Sequence, residues 1–308
     1  MTELKAVLIA GPTASGKSAL ALTIAEACNG VIINADSMQV YRELSILTAR
    51  PLPDEEARVP HYLYGCVAGR EGYSVGRWIA GCAEAIDKSN SAGKRPVIVG
   101  GTGLYFKALL EGLSPIPDIP RHIRDHWRAQ AVEIGGARLH KILEDRDAVT
   151  AARLRPSDPQ RLVRALEVLD ATGTPLAEWQ SKPGKPLLNA SCVTKLVVAP
   201  PRQSLYARID TRFDKMIENG AIEEIEALKA LGLPPDLPIM RALGVGPLIE
   251  YSDGTLTLEA AAERVKTESR HYAKRQLTWL KRNMIAWNWG FEQFMERQGD
   301  EIFAVIDI

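Results

Sequence analysis

The chain has 308 residues, 46% of them hydrophobic and 25% charged, a composition that suits a soluble globular protein of one large domain or two modest ones. Lys and Arg number 38, as do Asp and Glu, so the formal net charge is zero and no global positive field draws in nucleic acid or anionic lipid. Any polyanion site must be a local patch.

Ala6–Ala10 reads as a central parallel strand, and it runs straight into Gly11, Pro12, Thr13, Ala14, Ser15, Gly16, Lys17 and Ser18. This is the pattern G-x-x-x-x-G-K-S/T, between a buried-strand run and the helical run Lys17–Cys28. Gly11 and Gly16 let the backbone turn so that successive N–H groups point inward, and the helix adds the positive end of its dipole. Lys17 supplies a point charge for a terminal phosphate and Ser18 a hydroxyl for Mg²⁺. Such a nest reads phosphate oxygens and leaves the attached group to be decided elsewhere.

A second strand, Val31–Asn34, ends in Ala35, Asp36 and Ser37. In open α/β sheets the ligand crevice lies beyond the carboxyl ends of the strands, which brings Asp36 beside the phosphate loop. A proline-rich stretch (Arg50 to Pro60), a helical run (Val75–Ser89) and a strand (Pro96–Val99) follow, the strand ending in Gly100-Gly101-Thr102-Gly103 at the same edge. Pro115, Pro117 and Pro120 break the pattern. From Arg121 to about Gln180 it is helical, and Thr194–Ala199 is again a strand. The predicted organisation is a core over 1–113, a helical insertion over 114–188, and the rest of the core over 189–308. Helices at Leu205–Asn219 and Ile222–Leu231, a turn at Pro234 to Pro238, and a long helix from about Leu258 to Lys281 complete it. Cys28, Cys66, Cys82 and Cys192 are widely spaced with no C-x-x-C pair, which favours a reducing, cytoplasmic setting over zinc or disulfides. The N-terminal apolar run is too short for a signal-peptide core, and no run reaches the ~18 apolar residues of a membrane span.

Five clusters could carry chemistry. Asp36, Ser37, Met38 and Gln39 put an acid, a hydroxyl and an amide within one turn; Asp36 could be a helix cap, a metal ligand through water, or a general base. Gly100–Gly103 could bring backbone and the Thr102 hydroxyl to a ligand, or be a tight turn. Asp158 and Pro159 open a helix whose first turns carry Gln160, Arg161 and Arg164, suited to phosphates or bases but equally to a solvated face. Arg208 and Arg212 share a helical face and could aim a guanidinium at a diphosphate, or pair with Asp214 or Glu218. The last helix carries Arg264, Lys266, Arg270, His271, Lys274, Arg275, Lys281 and Arg282 with Tyr272, Trp279 and Trp287 among them, a basic aromatic stripe that suits RNA. His122 and His126 have no third ligand near them in sequence and read as surface residues.

Five blocks in this order, Gly11–Ser18, Asn34–Arg42, Gly100–Tyr105, Asp158–Arg161 with Arg164–Glu167, and Lys274–Trp279, resemble the bacterial tRNA dimethylallyltransferases. The resemblance spans the chain from the first strand to the last basic helix. It implies a P-loop NTPase-like α/β fold, a parallel sheet flanked by helices with an all-helical insertion. It also implies transfer of a dimethylallyl group from dimethylallyl diphosphate to N6 of the adenosine 3′ of the anticodon, in tRNAs reading codons that begin with U.

By that likeness Asp36 takes the N6 proton, and Thr102 holds the attacking nitrogen or a metal-bound water. Lys17, Ser18, Mg²⁺ and Arg212, with Arg208 in reserve, stabilise the departing diphosphate. Asp36 to Gln39, Gln160, Arg161, Leu162, Val163, Arg164, Arg241 to Gly246, and Lys274 to Lys281, with Lys274, Arg275 and Trp279 among them, touch the tRNA anticodon arm, while Thr102 and Arg124 flank the channel by which the base arrives. A monomer is expected. The other readings are a P-loop small-molecule kinase, an adenylate isopentenyltransferase that prenylates free AMP, and an RNA-binding module without catalysis. The chain departs from the family pattern twice. Glu43 and Leu47 stand where the family has glycines, and Gly65 stands where it has an aspartate, so the contact of that aspartate should be missing here.

Overall fold

The computed structural model describes residues 5–290 of the chain. Its strands are β1 (Ala6–Ala10), β2 (Gly30–Asn34), β3 (His61–Tyr62), β4 (Arg95–Gly100), β5 (Val193–Val198) and β6 (Asn288–Gly290). They form one parallel sheet of order β3-β2-β4-β1-β5-β6, so every strand delivers its carboxyl end to the same edge. The helices are α1 (Lys17–Ala27), α2 (Pro53–Arg58), α3 (Val75–Ser91), α4 (Gly103–Glu111), α5 (Arg121–Arg146), α6 (Ala148–Ala151), α7 (Pro159–Thr172), α8 (Leu176–Ser181), α9 (Arg202–Glu218), α10 (Ala221–Ala230), α11 (Val245–Ser252) and α12 (Leu258–Asn283).

Every residue of β1 is buried, which is why its sequence is a continuous apolar run rather than an alternation. Val7 and Ile9 pack with Leu20, Ile24 and Val97 on one face of the sheet, while Leu8 and Ala10 pack with Trp78, Phe106 and Leu280 on the other. Trp78 is fully buried, stacks on Tyr105 with ring centroids 4.3 Å apart, and donates its indole N–H to the carbonyl of Asn34 at 2.7 Å. It thereby pins the end of β2 just before Asp36. A third cluster, with Val40, Tyr41, Leu44 and Leu47 against Phe213, Ile225, Val245 and Val265, anchors the segment after Asp36 to the C-terminal helices.

The chain divides into two compact units, one running up to Leu110 and resuming at Leu187, the other Glu111–Pro186. The second unit is helical, with its own core of Trp127, Leu139, Leu143, Leu162, Leu166 and Val168. Its longest helix, α5, is broken at Gly135, whose φ of 72° and ψ of 169° no helix accommodates, so the continuous pattern over this stretch is two helices. Five elements, β3, β6, α2, α4 and α11, have no counterpart among the elements expected from sequence. No helix among the described residues is long and apolar enough to cross a membrane. The end of the 189–308 segment beyond residue 290 lies outside the described residues.

Candidate active site

At the end of β1 the loop Gly11–Gly16 bends through a left-handed Ala14 (φ 60°) and Gly16 (φ 92°) into α1. A side chain at Gly11 would meet Ser15 Oγ and the Val198 carbonyl at 2.7 Å, so only glycine fits the close packing there. The Ser15 N–H donates to the Pro12 carbonyl at 3.2 Å, while the N–H groups of Ala14, Gly16, Ser18 and Ala19 have no acceptor among the described residues. No side chain caps α1 and no acid sits in its first turn. The loop therefore presents unpaired amides and the positive end of a helix dipole, a seat for an anion.

Lys17 Nζ donates to the Pro12 carbonyl at 3.2 Å. Arg212 reaches the loop from α9 and donates to Thr13 Oγ1. The carboxylates nearest it on α9 are engaged elsewhere: Asp214 pairs with Lys266 at 2.6 Å, and Asp210 takes Arg270 Nη1 with both oxygens at 2.9 Å. Burial pushes Lys17 down to about 8, with Asp36 opposing and Arg212 adding to the depression. Arg212 is likewise pushed down to about 10 by burial, against the pull of Asp36. Two cations and one carboxylate thus share a poorly solvated mouth.

Asp36 uses its two carboxylate oxygens differently. Its Oδ1 accepts the Met38 N–H at 2.9 Å, as a turn-capping carboxylate does, and its backbone is held by Asn34, whose side chain accepts the Asp36 N–H at 2.8 Å. Oδ2 makes no hydrogen bond among the described residues and lies 3.5 Å from where a Cβ on Gly101 would stand. One oxygen orients the group and the other is free to work. Thr102 Oγ1 accepts the Ser37 N–H at 3.0 Å and its own N–H donates to the Ala35 carbonyl at 3.2 Å, so Thr102 braces the Asp36 segment.

Gln276, which by sequence falls only within the Lys274–Trp279 block expected to meet tRNA, ties these loops together from α12. Its Oε1 accepts the Thr13 N–H at 2.9 Å and its Nε2 donates to the Gly101 carbonyl at 3.0 Å. Three residues on, the Trp279 ring covers Gly103 so closely that a Cβ there would lie 2.1 Å from it. A lone glutamine carries no spacing signal, and only the crossing of α12 over both loops gives it meaning.

The predicted RNA contacts are placed unevenly. Lys274 and Arg275 are exposed on α12 and make no ion pair among the described residues. Together with His271, Thr278, Trp279, Arg282 and Asn283 they line a depression of about 760 Å³. The amino-terminal half of the basic stripe is spent on structure: Arg264 pairs with Glu250 and Glu268, Lys266 with Asp214 and Arg270 with Asp210. Gln39 donates to the carbonyls of Thr48 and Ala49, and Arg241 to that of Asp236. In the helical unit, Asp158 caps α7, Arg161 pairs with it at 3.2 Å, and Arg164 pairs with Glu167 at 3.5 Å. Arg124 has a buried Nε without a partner. Leu162 and Val163 correct the expectation of RNA contact: at 0% and 8% exposure they belong to the unit's core.

The two departures from the family pattern are absorbed locally. Neither Glu43 nor Leu47 has a positive φ; Leu47 is buried, and Glu43 accepts the Gly69 N–H at 2.8 Å. Glu224 of α10 accepts three successive N–H groups, of Ser45, Ile46 and Leu47, at 2.6, 2.8 and 2.9 Å. At Gly65 (φ 53°) the Arg50 guanidinium occupies the place of a side chain and donates to the carbonyls of Tyr41 and Arg42 at 3.2 Å.

Comparison with known proteins agrees with this arrangement. The family model described as IPP transferase matches residues 39–283, and that described as isopentenyl transferase matches residues 4–63. The tRNA dimethylallyltransferase of Parvibaculum lavamentivorans is 52% identical over 98% of this chain and 96% of its own length. The crystal structure of the tRNA isopentenylpyrophosphate transferase from Bacillus halodurans is 33% identical, covering 97% of this chain and 93% of its own, with a TM-score of 0.68. A eukaryotic dimethylallyltransferase described as acting on tRNA is 30% identical, covering 92% of this chain and 71% of its own, at a TM-score of 0.77. With a family model matching residues 39–283 and relatives about half identical over nearly the whole length, the chain belongs to the IPP transferase family, whose curated relatives are tRNA dimethylallyltransferases.

Proposed function

We propose that this protein transfers the dimethylallyl group of dimethylallyl diphosphate to N6 of the adenosine 3′ of the anticodon, position 37, in tRNAs that read codons beginning with U. N6 attacks C1 of the donor, the C1–O bond breaks, diphosphate leaves with the bonding electrons, and the N6 proton passes to Asp36 Oδ2. The observation that carries this reading is the meeting of three groups at one sheet edge: the phosphate loop, Arg212 on its Thr13, and a carboxylate with one oxygen free.

The leaving diphosphate gathers charge as its bond to carbon breaks. Lys17, Arg212 and the loop amides are fixed beforehand where that charge develops, so they stabilise the transition state without reorganising. An amino group on a purine is a poor nucleophile, and a carboxylate at its proton raises its reactivity. To bring N6 there the base must leave its stack, and unstacked bases are held by rings and guanidinium planes such as those around Trp279 and Arg275. The donor set also fits Mg²⁺, a hard cation that binds through few protein oxygens and keeps waters and phosphate oxygens as its other ligands. Ser18 Oγ would hold it directly and Thr102 through water. When bound it supplies further neutralisation of the diphosphate.

A tRNA acceptor supports a cytoplasmic setting for this activity. The deciding experiment supplies purified protein with unmodified tRNA, dimethylallyl diphosphate and Mg²⁺, then digests the RNA for nucleoside mass spectrometry. N6-dimethylallyladenosine at position 37 supports the reading. Unmodified adenosine, or phosphate transfer from labelled ATP, refutes it.

A further inference from the structure

We infer that Gln276 is a positioning residue for the reaction: its amide bolts the phosphate loop to the Gly100–Gly103 loop and so fixes the distance between leaving group and base. The inference rests on the transfer reading above and adds a residue to it. Gln276 lies in α12 at 7% exposure, and both ends of its amide are used, Oε1 by the Thr13 N–H and Nε2 by the Gly101 carbonyl. On the phosphate side the bond lands on Thr13, whose hydroxyl also receives Arg212. On the other side Gly101 faces the free oxygen of Asp36, and the next residue, Thr102, braces Ser37. A single side chain thus connects the part of the site that holds the diphosphate to the part that holds the base.

The geometry requires an amide in particular. Thr13 offers a donor and Gly101 an acceptor, so the side chain between them must accept on one atom and donate from the other at the same reach. Glutamine and a protonated glutamic acid do both. Glutamate carries no donor and sets a negative charge against a carbonyl; methionine fills the volume with neither bond. Gln276 need not touch either substrate. Its effect is on alignment, where an error of ~1 Å can cost about 10²-fold in rate.

The test compares wild type with Gln276→Met and Gln276→Glu, measuring transfer to tRNA, tRNA affinity, and binding of inorganic pyrophosphate by calorimetry. Loss of alignment predicts that Gln276→Met lowers kcat about tenfold or more, raises KM for the donor and weakens pyrophosphate binding, with tRNA affinity unchanged. Gln276→Glu recovers relative to wild type as pH falls and its carboxyl becomes protonated, whereas the ratio of Gln276→Met to wild type stays flat. That recovery is a signature general destabilisation would not give. Wild-type transfer with a Met variant of equal kcat and donor KM overturns the inference and leaves the function standing. A Glu variant whose ratio to wild type ignores pH also overturns it. Absent transfer in wild type, with pyrophosphate binding weakened in Gln276→Met, overturns the proposed reaction and keeps the bolt.

Discussion

At the residue scale the site runs on a few cations whose burial lowers the pH at which they lose their charge. Lys17 sits near 8 because burial disfavours its charged form. A bound diphosphate reverses that balance by favouring the ammonium, so binding above pH 8 must take up a proton. The sign follows: donor affinity is full while Lys17 is protonated, below about 8, and falls as pH rises past it, while Arg212, near 10, keeps its charge through the same window. Calorimetry of pyrophosphate binding at about pH 9, in two buffers of different ionisation heat, should show that uptake, and Lys17→Met should abolish it. Identical heats in both buffers for wild type would remove Lys17 from the anion site. Asp36→Ala should cut kcat by roughly 10²–10⁴ while tRNA affinity stays nearly intact, as loss of a base requires. Near-normal turnover would reduce Asp36 to its turn-capping bond with Met38. The phosphate loop and Asp36 were legible because each has a fixed spacing or a fixed place at a strand end. Arg212 and Arg208 were not separable, since residues four apart share a helical face, and the bond of Arg212 to Thr13 depends on how α9 packs against the loop. Gln276 stood in the Lys274–Trp279 block, but nothing local set it apart from the RNA-facing residues beside it, because its two partners lie on loops far away in sequence.

At the scale of elements, α12 is one helix with two jobs. Its first half is bound to α9 and α11 by ion pairs, and its second half leaves Lys274 and Arg275 exposed beside Trp279. Composition alone reads the whole stripe as basic, because most of the acids that neutralise its first half, Asp210, Asp214 and Glu250, lie on other helices, with only Glu268 on α12 itself. Replacing Lys274 and Arg275 by alanine should weaken tRNA binding and make the slope of log affinity against log salt shallower, by about one for each phosphate no longer neutralised. Arg270→Ala should leave that slope alone and cost roughly 1 kcal/mol of stability, the usual scale of a partly exposed pair. Equal effects of the two substitutions on the slope would dissolve the division of labour. Elements were legible in proportion to length: β1, β4 and α12 carry enough residues for their pattern to show. The two residues of β3 and three of β6 gain strand geometry only from their neighbours in the sheet. The turn at 45–47 is set by Glu224, almost two hundred positions away, which local sequence cannot encode.

At the scale of the whole chain, the helical unit is spliced between Leu110 and Leu187 in a way that leaves the core's own connections closed. Leu187 and Leu188 both donate to the Leu109 carbonyl, at 2.9 and 3.1 Å, so the chain leaves and returns at one point of the core. Within the unit, Gly112 at φ 80° lies so near Lys185 that a Cβ on it would stand 2.4 Å from the Lys185 N, closing the unit's own neck. The unit has its own apolar centre, and Asp170 accepts the Trp127 indole N–H at 2.6 Å and also binds Arg146. Closing a short gap costs little entropy, because that cost grows only slowly with loop length. Joining Leu110 to Leu187 through a few Gly and Ser residues should therefore yield a core that unfolds cooperatively and binds pyrophosphate as the full chain does. Residues 111–186 expressed alone should show helical circular dichroism with a cooperative melt. The excised core should nevertheless fail to modify tRNA, because Gln160, Arg161, Arg164 and Arg124 leave with the insertion. A core that loses pyrophosphate binding would show that the phosphate loop depends on the insertion. A core that still modifies tRNA at full rate would show that the anticodon arm is held by α12 and its neighbours alone.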